Sequence, residues 1–508
     1  MRVLVAHLGG AAVTPQDVRF DVIVWEIRFP RVLLAVLVGA GLAIVGTVLS
    51  VGLATTSSHP MTTPSLWCLH SHPDACADHT TPVSSDEQLS RSPAVMITES
   101  ESMSSEVPGR RSDQGLVADW VPMSTRPPFG VYVHVPFCAA RCGYCDFTTF
   151  TPSELAGSGA SPDGWLDAVR RELDLARRAV GPRRVDTVFV GGGTPSLLGA
   201  GRLGEVLAAI RSTFGLVAGA EVSTEANPES TSPEFFAGIV EAGFTRVSLG
   251  MQSAAAHVLR VLDRRHTPGR AVAAAREARG AGFAHVNLDL IYATPGETEA
   301  DLRASLDAVL DAGVDHVSAY ALIVEDGTAM ARKVARGELP APDDDVAAAR
   351  YEMIDRALAE AGLRWYEVSN WASSPAGACR HNLGYWLDGD WWGVGPGAHS
   401  HLDGLRWWNV KHPARYAVLL GAGESPEAGR EELTADERYT ERIMLRLRLA
   451  SGLPLEMLDL AGRAAITRAA ADGLLSIPDL ADGRAVFTPR GRLLADGVIR
   501  TLLAGVPT

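Results

Sequence analysis

Clustered positive charge is what this chain most lacks. Its 46 Lys and Arg residues are outnumbered by 60 Asp and Glu, for a formal net charge of -14, whereas a nucleic-acid surface gathers basic side chains on one face. No nucleic-acid partner is expected. Cysteine is scarce as well: six in 508 residues, with Cys68 and Cys76 near the front, three within eight residues at Cys138, Cys142 and Cys145, and Cys379 alone. An extracellular disulfide framework in so long a chain would be spread more evenly. A tight cluster reads as metal binding in a reducing compartment, so the expected location is cytoplasmic. Residues 56–128 lack any apolar period and are rich in Ser, Thr, Pro and acidic residues, the composition of a linker that cannot bury enough surface to order itself. Cys68 and Cys76 fall there and are assigned no role.

One long apolar run is present. Residues 32–54 carry no charge and are long enough, as a helix, to cross about 30 Å of hydrocarbon. The surrounding VIVWEIRFPRVLLAVLVGAGLAIVGTVLS resembles the opening of an iron-siderophore ABC-transporter permease, over residues 1–55 only. One helix cannot make a permease. Arg28 and Arg31 precede the run, which would place all that follows outside the cytoplasm, the wrong side for an oxygen-sensitive metal site. These residues are therefore expected to be a fused remnant or a misplaced start, with Met123 the candidate beginning. A membrane tether or signal-like leader stays open as the alternative.

A chain this long exceeds one ordinary core. From Phe129 the texture becomes β-rich runs, VYVHV at 131, DTVFV at 186, EVSTEA at 221, RVSLG at 246, HVNLDLIY at 285 and HVSAYAL at 316, each followed by a helical pattern such as 165–179 or 299–312. Six such alternations predict an α/β fold, a parallel sheet curled into a partial (β/α)6 barrel over residues 129–330, with function at the strand ends. An aromatic-rich extension with a helix near 344–361 follows over 331–420. A small helical or winged-helix domain is expected over 421–508.

The decisive segment is YVHVPFCAARCGYCDF at 132–147. Thiols spaced by four and three residues, on a loop after a strand, can hold three irons of a [4Fe-4S] cluster and leave the fourth open. The alternative is a zinc site with Cys379 or a His as fourth ligand, although zinc sites usually use paired Cys-x-x-Cys elements. The spacing, with Tyr144 before the last cysteine, resembles the radical S-adenosylmethionine (SAM) superfamily. YVHVPFC, GGGTPS, TEANP, LGMQS and NLDLIYATPGET resemble its HemN/HemW group over residues 129–450.

The resemblance implies that the open iron is chelated by the amino and carboxylate groups of SAM. It also implies that Gly192, Gly193 and Thr194 touch the methionyl part, and that Glu225, Gln252, Arg264, Asp289, Tyr132 and Tyr144 contact the rest of SAM. The glycine run at 191–193 independently suits close approach of a ligand to backbone amides. Glu225, Gln252 and Asp289 put polar groups at a barrel mouth, where any one of them could equally be a satisfied buried group. The group usually has Gly before the Arg at 264; here the residue is Asp263.

Two activities compete within the group. Coproporphyrinogen III dehydrogenases carry a further cysteine one residue beyond the third cluster cysteine, whereas Asp146 and Phe147 follow Cys145 here. That departure, with RHNLGYW at 380–386, resembles the haem-chaperone branch and implies haem as cargo for apo-haemoproteins of the respiratory chain, an electron donor, and no dehydrogenase activity. His381 is the candidate axial ligand, and Tyr385 and Trp386 offer flat apolar surface. Cys379 reads as a plain buried thiol. The segment could instead be aromatic core, given Trp391, Trp392, Trp407 and Trp408. A membrane-tethered transporter component is the third class, and a homodimer stays open.

Overall fold

The computed structural model describes residues 128–264 and 267–503. The permease-like segment, the apolar run at 32–54, Met123, Cys68 and Cys76 lie outside the described residues. Among those described, no helix is long and apolar enough to cross a membrane.

All six expected strands form: β1 (Phe129–Val135), β2 (Val185–Gly192), β3 (Leu216–Ala226), β4 (Arg246–Gln252), β5 (His285–Tyr292) and β6 (His316–Ala321). They are parallel neighbours in that order, and β1 is buried along its whole length, as strands covered on both faces must be. The intervening helices are α1 (Pro162–Val180), α2 (Gly199–Phe214), α3 (Pro233–Ala242), α4 (Ala256–Val261), α5 (Arg270–Ala281) and α6 (Glu299–Ala312). Their ends follow local chemistry. Ser161 caps α1 ahead of a first-turn proline, Thr298 and Asp301 form a capping box on α6, and left-handed Gly243, Gly282 and Gly313 end α3, α5 and α6. Because β1 and β6 pair with other strands instead of each other, the arc stays open as a partial barrel.

Beyond β6 the chain runs through α7 (Ala329–Ala335) and α8 (Asp344–Glu360), then β7 (Arg364–Glu367), β8 (Asn370–Ala372), α9 (Arg380–Trp386), β9 (Asp390–Val394), β10 (His399–Leu402), β11 (Leu405–Asn409), α10 (Pro413–Gly421) and β12 (Glu427–Glu432). The aromatic-rich extension therefore widens the sheet at both ends. β8 lies antiparallel to β6, β9 parallel to β1, and the order is β12-β11-β10-β9-β1-β2-β3-β4-β5-β6-β8-β7. Much of its aromatic content is core: Trp392 packs edge-on against Trp407 and Trp391 against His401. The tail opens at α11 (Ala435–Arg446), with a capping box on Thr434 and Glu437. It continues through β13 (Leu453–Pro454), α12 (Leu460–Ala471), α13 (Ile477–Ala481), β14 (Arg484–Ala485), α14 (Pro489–Leu493) and α15 (Ala495–Leu503), where β13 and β14 make a two-stranded sheet.

Candidate functional site

The open arc encloses a cavity of about 1440 Å³, larger than the roughly 300–1,000 Å³ that holds one small ligand. Cys138, Cys142 and Cys145 line its upper end, on the loop that leaves β1. That loop folds back on itself: the Cys138 amide donates to the Phe150 carbonyl at 3.0 Å, and the Phe150 amide to the Pro136 carbonyl at 2.7 Å. Burial raises the Cys138 thiol and pushes that of Cys145 up to about 12, and the neighbouring sulfurs add to both shifts.

The glycine run leaving β2 is pressed against this loop. The Gly193 amide donates to Val135 and the Thr194 amide to Phe137. A Cβ on Gly193 would lie 2.5 Å from the Phe137 carbonyl and 3.0 Å from Cys138 Sγ. Gly192 has φ of 109°, and a Cβ there would meet the His134 ring at 2.7 Å. Only glycine fits either position. His134 is the supporting residue that sequence reasoning passed over, although it stands inside YVHVPFC. Its ring lies 3.0 Å from the Tyr132 hydroxyl and 2.8 Å from the Thr148 carbonyl, and burial holds its pKa near 4, so it is a neutral strut.

Around the middle of the cavity stand Tyr144, Glu225, Gln252, Arg264 and Asp289. The Gly192 amide donates to Glu225 at 3.1 Å. Burial pushes Glu225 up to about 8, with the negative charge of Asp289 adding to it, and burial pushes Asp289 up to about 6. Gln252 is the last residue of β4 and adopts φ of 68° beside a bulge in the β4–β5 pairing, which turns the chain at the rim. Arg264 donates to Cys142 Sγ at 3.5 Å and to the Gly250 carbonyl at 3.2 Å. Asp263, in the place of the usual glycine, takes φ of 51°, a backbone region that Asp tolerates better than most side chains, and its carboxylate pairs with Lys333 at 2.8 Å.

Below Asp289 runs a hydrogen-bonded polar column that sequence reasoning missed. Ser248 donates to Asp289, Asn287 donates to both Ser248 and Asp289, His316 reaches Asn287 at 2.7 Å and Tyr366 at 2.8 Å, and the Cys379 amide donates to Tyr366. Its signal was polar residues at alternate, inward-facing strand positions, Ser248 with Arg246 and Asn287 with Asp289, where a barrel interior should be apolar.

The RHNLGYW segment forms α9 at the opposite end of the same cavity. Glu221 of β3 accepts the Arg380 and His381 amides at 3.0 and 2.9 Å and is itself paired to buried Arg246. His381 lies 2.7 Å from both Thr187 Oγ1 and the Tyr385 hydroxyl, so each ring nitrogen has a partner, and burial holds its pKa near 4. Thr187 is near the start of β2, about 16 Å below Gly192 at the usual rise of about 3.3 Å per residue. The interval is filled by rings: His381 stacks on Phe189 at 5.4 Å, and Phe189 on Tyr132 at 6.4 Å. Of the residues expected to contact ligands, Tyr132 and Trp386 do not line the cavity; both are fully buried in the packing behind it. Cys379 lines the cavity floor beside Glu221, and burial pushes its thiol up to about 12.

Comparison with known proteins fits this arrangement. The radical SAM superfamily model matches residues 132–309 and the HemN C-terminal domain residues 433–494. Heme chaperone HemW of Mycobacterium tuberculosis (strain ATCC 25618 / H37Rv) is 61% identical over 376 residues, covering 74% of this chain and 95% of that protein. The chain belongs to the HemW family. A second relative with that name, from Escherichia coli (strain K12), is 33% identical over 74% of this chain and 99% of its own length. Among solved structures, the coproporphyrinogen III oxidase HemN of Escherichia coli superposes with a TM-score of 0.63 over 76% of this chain and 92% of that one. At 22% identity this shows the shared fold.

Radical SAM membership implies a [4Fe-4S] cluster and SAM in place of the zinc alternative, and the residues present fit them. Three thiols on one loop face a single cavity, and the glycine run lies so close beside Cys138 that no side chain could stand between it and the cysteine loop. Among the described residues no three metal-binding side chains converge as ligands of one ion do. A cubane does not ask them to, since each cysteine holds a separate corner.

Proposed function

We propose that this protein is a haem chaperone, which binds haem and a SAM-ligated [4Fe-4S] cluster and passes haem to apo-haemoproteins such as respiratory enzymes in the cytoplasm. The observation that carries the reading is that the cysteine loop and His381 with Tyr385 face one cavity from its two ends. The kinship with proteins named heme chaperone supports it, as does Phe147 standing where the dehydrogenase group has a cysteine. In this reading the cluster on Cys138, Cys142 and Cys145 supplies an open iron for SAM and an electron from a donor protein. The chain's own part is positional. The glycine run, bare of side chains, lets the methionyl group approach the backbone closely, while Glu225, Asp289, Gln252 and Tyr144 surround the remainder of SAM.

His381 is neutral at physiological pH because of its burial, the state in which imidazole ligates a metal. Its Nε2 becomes available once the Tyr385 hydroxyl turns away. Titrating the cluster-loaded protein with haem tests the reading: a shifted Soret band that His381→Ala abolishes is expected. An unchanged spectrum with His381 present overturns it, and protoporphyrinogen formed from coproporphyrinogen III in an anaerobic assay with SAM would show a dehydrogenase instead.

A further inference from the structure

The three cluster cysteines are not equally supported by their surroundings. Cys138 receives the Thr194 hydroxyl at 3.5 Å, and Cys142 receives the Arg264 guanidinium at 3.5 Å. Cys145 has only the backbone at Phe147. A further side-chain donor stands beside Cys138. Thr149 is 2% exposed and lines the cavity, and its side chain acts on the Cys138 thiol, lowering a pKa that burial raises. Its Oγ1 nonetheless makes no hydrogen bond of full geometry in the cluster-free protein, which is costly for a buried hydroxyl.

The loop's own bonds put Thr149 beside Cys138. Its neighbour Phe150 accepts the Cys138 amide and bridges to Phe137. Thr149 itself is anchored by its amide on the Phe147 carbonyl at 2.7 Å and by the Arg141 guanidinium on its carbonyl. A thiol has its own proton and takes a hydrogen bond poorly; a metal-bound thiolate accepts one readily.

We propose that Thr149 is a positioning residue of the cluster, whose hydroxyl donates to the Cys138 thiolate alongside Thr194 and, with Arg264 on Cys142, raises the cluster's reduction potential. Hydrogen bonds to cluster sulfurs favour the reduced state because they offset its extra negative charge. Two hydroxyls on Cys138, a guanidinium and the Tyr144 hydroxyl on Cys142, and backbone alone on Cys145 make the support lopsided. The assignment rests on the radical SAM cluster proposed above and goes beyond it by naming what tunes that cluster.

The test uses the full chain, loaded anaerobically, with iron and sulfide measured first and the midpoint then read by redox titration followed by electron paramagnetic resonance. Thr149→Val keeps the shape and removes the donor. It is expected to lower the reduced-to-oxidised ratio about tenfold at the parent midpoint, a shift of about 59 mV for one electron, with Thr149→Ser restoring it. Arg264→Gln is expected to shift the midpoint further in the same direction, since it removes a charge. Equal midpoints in parent, Thr149→Val and Thr149→Ser at equal iron content overturn the proposal. If Thr149→Val fails to load, loading by Thr149→Ser supports it, whereas failure of both variants overturns the donor role in favour of a purely steric one. Failure of the parent to load would count against the radical SAM reading, so the two failures are told apart.

Discussion

At the scale of single residues, close packing decides more than polarity. Gly193 has no room for a methyl group because the Phe137 carbonyl and the Cys138 sulfur already occupy that space. Gly193→Ala is therefore expected to push the cysteine loop off its seat and to lower the iron bound after anaerobic reconstitution several-fold, while secondary structure by circular dichroism is kept. Glu225 carries a second prediction. In the empty site burial holds its pKa near 8, so it is largely protonated at neutral pH, whereas a bound cation such as the SAM ammonium favours the carboxylate. SAM affinity, measured by equilibrium dialysis on the loaded protein, should then rise with pH up to about 8 and level off. Glu225→Gln should flatten that profile, and a flat profile in the parent would contradict the contact. Sequence reasoning found both residues through their motifs. It missed His134, whose task is visible only once Gly192 is seen lying on its ring.

At the scale of elements, α9 is held by a carboxylate that comes from another strand. Glu221 accepts two amides at the start of the helix and pairs with Arg246, both side chains being buried. Replacing Glu221 with Gln leaves the guanidinium charge uncompensated, and breaking a buried pair in this way typically costs about 3–5 kcal/mol. Chemical denaturation should show a loss of that order, and the haem spectrum should be disturbed because His381 loses its anchor. The six barrel strands and the helices at 299–312 and 344–360 were legible as alternating periodicity. The strands β7 to β11 were not, since their Trp-rich runs carry no clean period and their partners, β6 and β1, are distant in sequence.

At the scale of the whole molecule, several acids are buried without full compensation. Glu172 is pushed up to about 7, although Tyr416, Asn409 and the Gly395 amide donate to it; Glu367 is likewise raised to about 7 and Glu225 to about 8. Each binds a proton in the folded chain that the unfolded chain releases near its ordinary value of 4.5. Through these acids the folded state holds more protons between these values, which lowers stability as pH rises. Buried His134 and His381, held near 4, stay neutral where the unfolded imidazole is charged and so act in the opposite sense up to the ordinary value of 6.5. Unfolding midpoints of the cluster-free protein should therefore decline from about pH 6.5 to about pH 8, above the ordinary His value, with Glu172→Gln reducing the slope. Exposed carboxylates with lowered pKa, such as Glu154 and Glu338, act in the opposite sense but are screened by solvent. A profile that rises between about pH 6.5 and about pH 8 would mean that the buried acids stay ionised in the fold.

The sequence alone marked out the candidate cluster cysteines, the glycine run, the alternation that builds the barrel and the departure at Phe147, because each is a local pattern whose chemistry follows from spacing along one segment. Only the tertiary structure decided that α9 faces the far end of the cavity, that Phe189 and Tyr132 stack between it and the glycine run, and that the Thr149 side chain stands beside Cys138. Those relations join residues far apart in the chain, and they exist only where the packing of strands and loops has brought them within a few ångströms.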